Sequence, residues 1–597
     1  MNIKHELIAD IPLSIEFCKR LNLQSLVDRH LNNHGNQKGL SNGQLTLVWI
    51  AHILTQNNHC KAPVNEWKNN HQMLLQALLE KEISDTDFED CRLGRLLERF
   101  AEDSMWHGLE ESFYKDSFSI LQLDTNAPED FKENISDKNG IAKTIKIDAT
   151  TAYGHHEVIE GGIMQRGWSK DNRSDLPQLK IMVSVEGNTG MQIASDVMPG
   201  NKNDDPLYVP ILERTRKTVD TVNCLMCGDC KMSALYIRAD IVKNKEFYLT
   251  PMQLGNSTKN LFDDLVEKIV NGNQSAELIM DFDNIKAPKI IGAGFEVIRK
   301  QSYKDESKDN DLIEWDERVL LIRSYDHAKQ EIDRFNNKLK ITKNKLSVLE
   351  SKLCSNEVDA EKDFFKKIEK FKKDTNFLEL FEFKTEVIVE ENELKMAEKR
   401  NGKIRKGSYK IKKYRIKIVD VSEKQEIIDN MSYKIGWRIY VTNSPKQFLN
   451  FSSAYKFFRK TMYVIEIGFH VLKDYLNISP LFVRKQNQII GMTRLLMLAL
   501  KILTLMTAEV RANMKKENIV LRGLYAGQSA RKHSTPTAQS LLEYFSRQEI
   551  AIVGHKIGEE WQWFITPLTD TCRSILKMLK ISESSYDGLP EKLLLMG

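Results

Sequence analysis

The chain has 597 residues, of which 41% are hydrophobic and 28% charged, and its formal net charge is +4. That length exceeds one ordinary core, so roughly two to four domains, or a core with large insertions, are expected. The average composition excludes global disorder and a membrane class, and the near-neutral total leaves the choice of partners to local clusters of charge.

The opening, MNIKHELIADIPLS, has no apolar core of signal-peptide length, and the most apolar run, residues 489–510, is interrupted by Arg494 and Lys501. Neither a secretion signal nor a transmembrane helix is therefore expected. The 8 cysteines fit reduced thiols in a cytosol. Cys224, Cys227 and Cys230 have the short spacing of a metal site, but a closed zinc site takes four ligands and no second pair is near, so small core or strand-end residues are the favoured reading.

Residues 1 to about 130 read as helical. Phe17, Cys18 and Leu21 share a helical face, Leu45, Val48, Ile50, Ala51, Ile53 and Leu54 form a wide apolar stripe, and Leu93, Leu96, Leu97 and Phe100 repeat the pattern. Residues 126–139 are polar and turn-rich, as a linker is.

Residues 145–148 alternate apolar and polar and deliver a carboxylate, Asp148, where β-propensity stops, which reads as a strand with an acid at its end. Strand-like runs follow at 179–185 and 191–197, and the Gly and Asn of the intervening EGNTG supply the positive φ of a tight reversal. Asp204-Asp205-Pro206 start a helix bearing Leu207, Ile211 and Leu212, although Pro210 falls soon after. Residues 221–226 form a fourth apolar strand leading to Asp229, then 232–243 read as a helix and 246–250 as a strand. In a sheet where the first strand neighbours the fourth, Asp148 and Asp229 converge on one edge. His155 and His156 read as solvent-exposed loop residues.

Residues 253–445 interrupt this order. Strands are expected at 278–282, 295–298, 320–322, 415–419 and 437–442. Ala328, Ile332, Phe335, Leu339, Leu346, Leu349 and Leu353 step by fours and threes, a heptad helix that needs a partner. That partner is either a return helix through Phe364, Ile368, Phe371 and Leu378 or a second chain. Residues 399–417 contain ten Lys or Arg interleaved with Tyr409 and Tyr414. Such clusters release counterions from DNA and stack on bases, so Arg405, Lys412 and Lys413 are candidate DNA contacts, against the alternative of a solvated basic strand edge.

In residues 455–475, Phe458, Met462, Ile465, Phe469 and Leu472 make an apolar helical face, while Arg459, Glu466 and Lys473, at seven-residue steps, share another. Residues 489–510 read as a buried core helix, and 540–545 and 561–568 cap the domain or join an oligomer. No P-loop, βαβ-embedded GxGxxG or Ser-His-Asp set with diagnostic neighbours is present in the sequence.

WSKDNRSDLPQLK, the hairpin after it and MPGNKNDDP resemble the catalytic core of the DDE transposases of bacterial insertion sequences. The resemblance continues in order through Asp229 and the Ile-Glu-x-x-Phe-x-x-x-Lys of residues 465–473. It implies an α/β fold with an RNase H-like catalytic core, 142–252 and 446–597, interrupted at 253–445 by a mixed strand and helical-hairpin insertion. A helical N-terminal domain, 1–130, precedes the core, with DNA-end binding as its implied role.

The resemblance also implies Asp148, Asp229 and Glu466 as catalytic residues binding Mg²⁺ or Mn²⁺, two ions in all, with Lys473 on DNA phosphate and Lys170 and Arg173 as further DNA contacts. Carboxylates suit that role because phosphoryl transfer needs positioning and charge stabilisation, and Mg²⁺ prefers oxygen ligands. The implied reaction is cleavage at element ends and strand transfer into target DNA, by a homodimer in the bacterial cytoplasm, nucleoid-associated and without a membrane. The chain departs from the family where a tyrosine and an arginine stand seven and four residues before the glutamate: it has Arg459 and Met462. Arg459 is the candidate for the missing guanidinium. The alternatives are a related RNase H-like nuclease, a decayed copy that only binds DNA, and a non-enzymatic coiled-coil nucleic-acid-binding scaffold.

Overall fold

In the computed structural model, which describes residues 3–31, 38–124, 140–281, 289–304, 312–400, 403–558 and 560–596, the chain begins with a strand rather than a helix. The linker expected over 126–139 lies outside the described residues. β1 (Ile3–Leu7) is followed by α1 (Ile11–Arg20), α2 (Leu23–His30), α3 (Asn42–Gln56), α4 (Lys61–Asn70), α5 (Gln72–Leu79), α6 (Asp90–Phe100) and α7 (Asp103–Leu121). Ser41 fixes the start of α3, accepting from the Gln44 amide while the Gln44 side chain returns to the Ser41 amide.

Next come β2 (Thr144–Tyr153), β3 (Gln178–Glu186), β4 (Gln192–Pro199), α8 (Tyr208–Thr218), β5 (Leu225–Gly228), α9 (Leu235–Lys243) and β6 (Phe247–Pro251). The central stretch holds α10 (Asn256–Val270), β7 (Glu277–Asp281), β8 (Lys289–Lys304), β9 (Leu312–Ser324), α11 (Tyr325–Ser347), α12 (Glu357–Asp374), β10 (Phe381–Arg400), β11 (Lys403–Glu423) and α13 (Gln425–Lys434). β12 (Trp437–Thr442), α14 (Phe451–His470), α15 (Gln486–Glu517), β13 (Leu521–Arg522), β14 (Lys532–His533), α16 (Ala538–Ser546), β15 (Ala551–Ile557), β16 (Glu560–Ile565), α17 (Asp570–Met578), α18 (Ser584–Asp587) and α19 (Leu589–Met596) complete the chain.

Two compact units result: Met1–Gln253 with Val297–Val319 and Tyr440–Gly597, and Leu254–Glu296 with Leu320–Ile439. Residues 297–319, placed by the sequence within the insertion, belong to the first unit. So do the N-terminal helices, because β1 pairs antiparallel with β15 and α15 packs against α3, α6 and α7.

The first unit is built on a mixed sheet in the order β4-β3-β2-β5-β6-β12, followed by the parts of β9 and β8 that belong to it. β2-β3 and β3-β4 are antiparallel, whereas β2-β5 and β5-β6 are parallel. α15 is long and apolar enough to cross a membrane, the one such helix among the described residues, and 89% of its most apolar window is buried inside the protein.

The charges on α15 are partnered internally. Lys501 is fully buried, and its Nζ donates to Glu110 Oε1 at 3.0 Å and to the Gln192 carbonyl at 2.7 Å. Glu110 also accepts from Arg214 at 2.6 Å and from the Ser195 amide and hydroxyl at 3.1 and 2.8 Å. Burial alone would raise the Glu110 carboxyl, but Lys501, Arg214 and Ser195 outweigh it and hold it below its usual range. One carboxylate on α7 thus ties α15, α8 and β4 together. Lys501→Met, which strands Glu110 beside one cation fewer, is expected to destabilise the first unit by about 3 kcal/mol in urea titration, and a loss under about 1 kcal/mol contradicts this role.

Two histidines of the first unit are buried and neutral. His52 on α3 lies edge-on to Trp67, and burial lowers His52 and His59 from 6.5 to about 4. Because the unfolded chain takes up those protons first, stability is lost as pH falls from about 6.5 towards about 4, by about 1.4 kcal/mol per pH unit for each histidine. Asp10, raised to about 7 by burial, works in the opposite sense, so the test is a difference. A His52→Gln, His59→Gln double variant is expected to have a visibly shallower acid limb of unfolding free energy, and superimposable limbs contradict the assignment.

In the second unit β10 and β11 form a two-stranded antiparallel hairpin whose base packs on α11 and α12. Phe335, Leu339 and Leu346 of the heptad helix share a core with Ala360, Phe364, Ile416 and Ile418, with Ile368 and Phe371 packed against it. The heptad helix therefore finds its partner internally. It ends at Ser347, so Leu349 and Leu353 stand beyond it.

Candidate active site

β2 continues five residues past Asp148, because Ala149 to Tyr153 stay paired with β3 opposite Met182 to Gln178. What ends near Asp148 is the parallel ladder: its last pair is Ile147 with Gly228, and the next residue on each side is Asp148 and Asp229. The acid expected at a strand end thus stands mid-strand, where the pairing with one neighbour stops. Gly228 is packed so closely that a Cβ there would lie 2.8 Å from the Met232 sulfur.

Asp148 Oδ1 accepts from the Lys170 ammonium at 3.0 Å and from the Ala149 amide at 2.7 Å. Burial raises its carboxyl above the usual range, Lys170 opposes that, and Asp229 reinforces it. Asp229 caps the turn Cys230–Ser233, accepting from the Lys231 amide at 3.0 Å, and its Oδ1 takes a 2.6 Å hydrogen bond from the Tyr208 hydroxyl. Tyr208 is 1% exposed, and burial and then Asp229 push its phenol far above 10, so it acts as a fixed donor. Nothing in the residues around Tyr208 marks it as part of the site. It enters through a single turn, Asp205–Leu207, that Pro206 tightens, while Pro210 sits harmlessly in the first turn of α8.

The strings that flank the β3-β4 hairpin pair with each other. Lys180 reaches Asp204 and the Lys202 carbonyl, and Lys231 lies 3.8 Å from Asp205. Lys473 Nζ pairs with Asp171 at 2.5 Å, and Asp171 accepts from Thr151 on β2 at 3.2 Å. Lys170 and Asp171, adjacent in one loop, thus connect Asp148 to Lys473. Arg173 pairs with Asp175 at 2.9 Å and stacks over Tyr153 at 5.2 Å.

α14 packs on β2, β5 and β6, and Phe457 lies 4.5 Å from Lys146 Nζ, so the helix covers the face of β2 that also bears Asp148. Glu466 and Arg459 are exposed on α14, and Met462 is half-buried. The shared face of Glu466 and Lys473 assumes 3.6 residues per turn throughout, whereas residues Val471–Tyr475 form a π-helical turn, from which Lys473 pairs with Asp171. Among the described residues no group of three or more His, Cys, Asp or Glu is arranged to hold a metal ion. The donor set fits a divalent cation in part: two carboxylates stand together with an ammonium on one of them as a stand-in cation, and Glu466 does not complete a ligating group.

Elsewhere, Cys224 and Cys227 are buried, and all eight cysteines are free thiols. His156 Nε2 lies 2.8 Å from the Val483 carbonyl, and His155 is exposed. In the second unit, much of the basic strand β11 faces glutamates of β10. Glu391 lies 3.4 Å from both Lys410 and Lys412, Lys413 is in register with Glu390, and Arg415 pairs with Glu350 at 2.7 Å. The Arg405 side chain lies outside the described residues.

Residues 3–111 match a family described as "Domain of unknown function (DUF4277)", a span running from β1 into α7. No curated protein matches the chain. Among solved structures, a chain of the "Cryo-EM structure of piggyBac transposase synaptic complex with hairpin DNA (SNHP)" is similar at 10% identity and a TM-score of 0.25, over 51% of this chain and 60% of that one. A likeness at that level establishes neither a shared fold nor a shared activity.

Losing a hydrogen bond to a charged, partly buried acceptor costs about 1.5–3 kcal/mol. Tyr208→Phe is therefore expected to lower the unfolding free energy of the first unit by about 2 kcal/mol. A variant as stable as the parent shows that the phenol does not support Asp229.

Proposed function

We propose that this chain is a DDE transposase of a bacterial insertion sequence, with an RNase H-like core in its first unit. The observation that carries the reading is the meeting of Asp148 and Asp229 where the parallel β2-β5 ladder ends. Two acids held side by side at a cost in desolvation and repulsion are poor stability elements and good cation ligands.

Asp148 and Asp229 would hold Mg²⁺ or Mn²⁺, and Glu466, which is exposed on α14 and outside any ligating group among the described residues, is the third carboxylate only by the resemblance. When bound, such ions supply activation of the attacking oxygen and stabilisation of the leaving one. The chain's own residues do the rest. Tyr208 orients Asp229, Lys170 holds Asp148 until a stronger cation replaces it, and Lys473 and Arg173 exchange their carboxylate partners for DNA phosphate. Lys412 and Lys413 would add phosphate contacts where DNA outcompetes the exposed glutamates of β10, since exposed pairs of this kind are worth little and yield to a polyanion. The DNA partners are the element's terminal repeats and its target, bound by a homodimer in the bacterial cytoplasm.

A second reading, a copy that binds DNA without cutting, is favoured by Arg459 and Met462 at the signature positions and by the exposure of Glu466. The internal partner of the heptad helix speaks against the coiled-coil scaffold.

The test is Mg²⁺- or Mn²⁺-dependent nicking of plasmid DNA carrying the sequences that flank the gene. Asp148→Asn and Asp229→Asn are each expected to slow it by more than about 100-fold while leaving DNA binding intact. Joined products mark a transposase and cut-only products a nuclease. Binding without cutting by the parent supports the second reading, and nicking that survives both substitutions overturns the assignment.

A further inference from the structure

Trp168 is 85% exposed, which is costly for an indole that normally buries about 150–250 Å². The exposure is not the looseness of a loop, for the backbone around it is fixed on every side. Gln165 exchanges two 2.9 Å backbone hydrogen bonds with Gln178. The fully buried Gln178 side chain donates to the Trp168 carbonyl at 2.6 Å. Gly167 is pressed on the next loop, where a Cβ would come within 2.3 Å of the Gly200 carbonyl. Ser169, itself buried, accepts from the Asp171 and Arg173 amides at 3.2 and 3.1 Å. A rigid support thus presents a flat apolar face to solvent.

The surroundings say what that face is for. Lys170, two residues on in the same loop, is the cation bonded to Asp148 at 3.0 Å, Arg166, two residues before, is exposed, and Arg173, half-buried, pairs with Asp175 and stacks over Tyr153. An exposed aromatic ring in a loop that carries cations and reaches the carboxylate pair through Lys170 matches a nucleotide, with the ring taking the base and the cations the phosphates. Paired bases are already stacked on their neighbours, so only an unpaired base offers its face.

We propose that Trp168 is a stacking platform for an unpaired base of the DNA held at the Asp148 and Asp229 site. This rests on the reading of the chain as a DNA-acting protein, and it assigns Trp168 a binding role and no part in the chemistry. Trp168→Ala removes the platform and Trp168→Phe keeps an aromatic face, and both changes lie at a solvent-exposed position that the fold tolerates.

The experiment measures affinity of the full chain for a blunt duplex and for the same duplex with a single-stranded thymidine tail. The parent is expected to prefer the tailed DNA. Trp168→Ala should bind the tailed DNA about 10- to 100-fold more weakly with blunt-duplex affinity little changed, and Trp168→Phe should retain most of the preference. If the parent binds DNA and Trp168→Ala keeps the preference, or if Trp168→Phe loses as much as Trp168→Ala, the platform is wrong and the DNA reading stands. If the parent binds neither DNA, the functional reading fails and the platform with it. If sedimentation shows a self-associated parent that Trp168→Ala dissociates, the occupant is a second copy of the chain and the proposal is overturned.

Discussion

The parallel pairing of β2 with β5 is the constraint on which the rest of the first unit turns. Once Ile147 is in register with Gly228, the next residue on each side is an aspartate, and the two carboxylates stand close enough to repel each other. Desolvation and mutual repulsion both disfavour that arrangement, so the surrounding segments are spent on offsetting it: Lys170 comes from the loop before β3, and Tyr208 comes from the start of α8. The loop carrying Lys170 is in turn held by Thr151 and by Asp171, whose other oxygen binds Lys473 beyond α14.

Much of this was legible in the sequence because it is local. Alternation marked the start of β2, Gly and Asn marked the reversal between β3 and β4, and the apolar run ending in Gly228 and Asp229 marked β5. The full length of β2 was not legible, since Thr150, Thr151 and Ala152 carry no apolar alternation and are held as strand by the neighbouring β3. Tyr208 and the pairing of β1 with β15 were hidden for a related reason. Each depends on a partner distant in the chain, and nothing in the flanking residues signals it. The π-helical turn after α14 also lacks a sequence signature, so the face argument up to Lys473 rested on assuming a regular helix.

The second unit shows the opposite weakness of reading charge from composition. Ten cations within residues 399–417 read either as DNA contacts or as a solvated basic strand edge. The antiparallel register sets Glu386, Glu390, Glu391, Glu393 and Glu398 of β10 across from Lys417, Lys413, Lys412, Lys410 and Arg405 of β11. The field of the hairpin is correspondingly weaker than its sequence count, and DNA would have to displace glutamates to bind there. The heptad pattern, by contrast, was a sound guide to a buried helical face and silent on which surface would cover it.

Asp148 and Asp229 are proposed as a divalent-cation site in which the ion would take the place of the Lys170 ammonium on Asp148. Crystals grown with Mn²⁺ test it most directly, by anomalous diffraction. A manganese peak is expected within coordination distance of both carboxylates, with the Lys170 ammonium displaced from Asp148. Saturating Mn²⁺ with no peak at the pair, and Lys170 still bonded to Asp148, would contradict it.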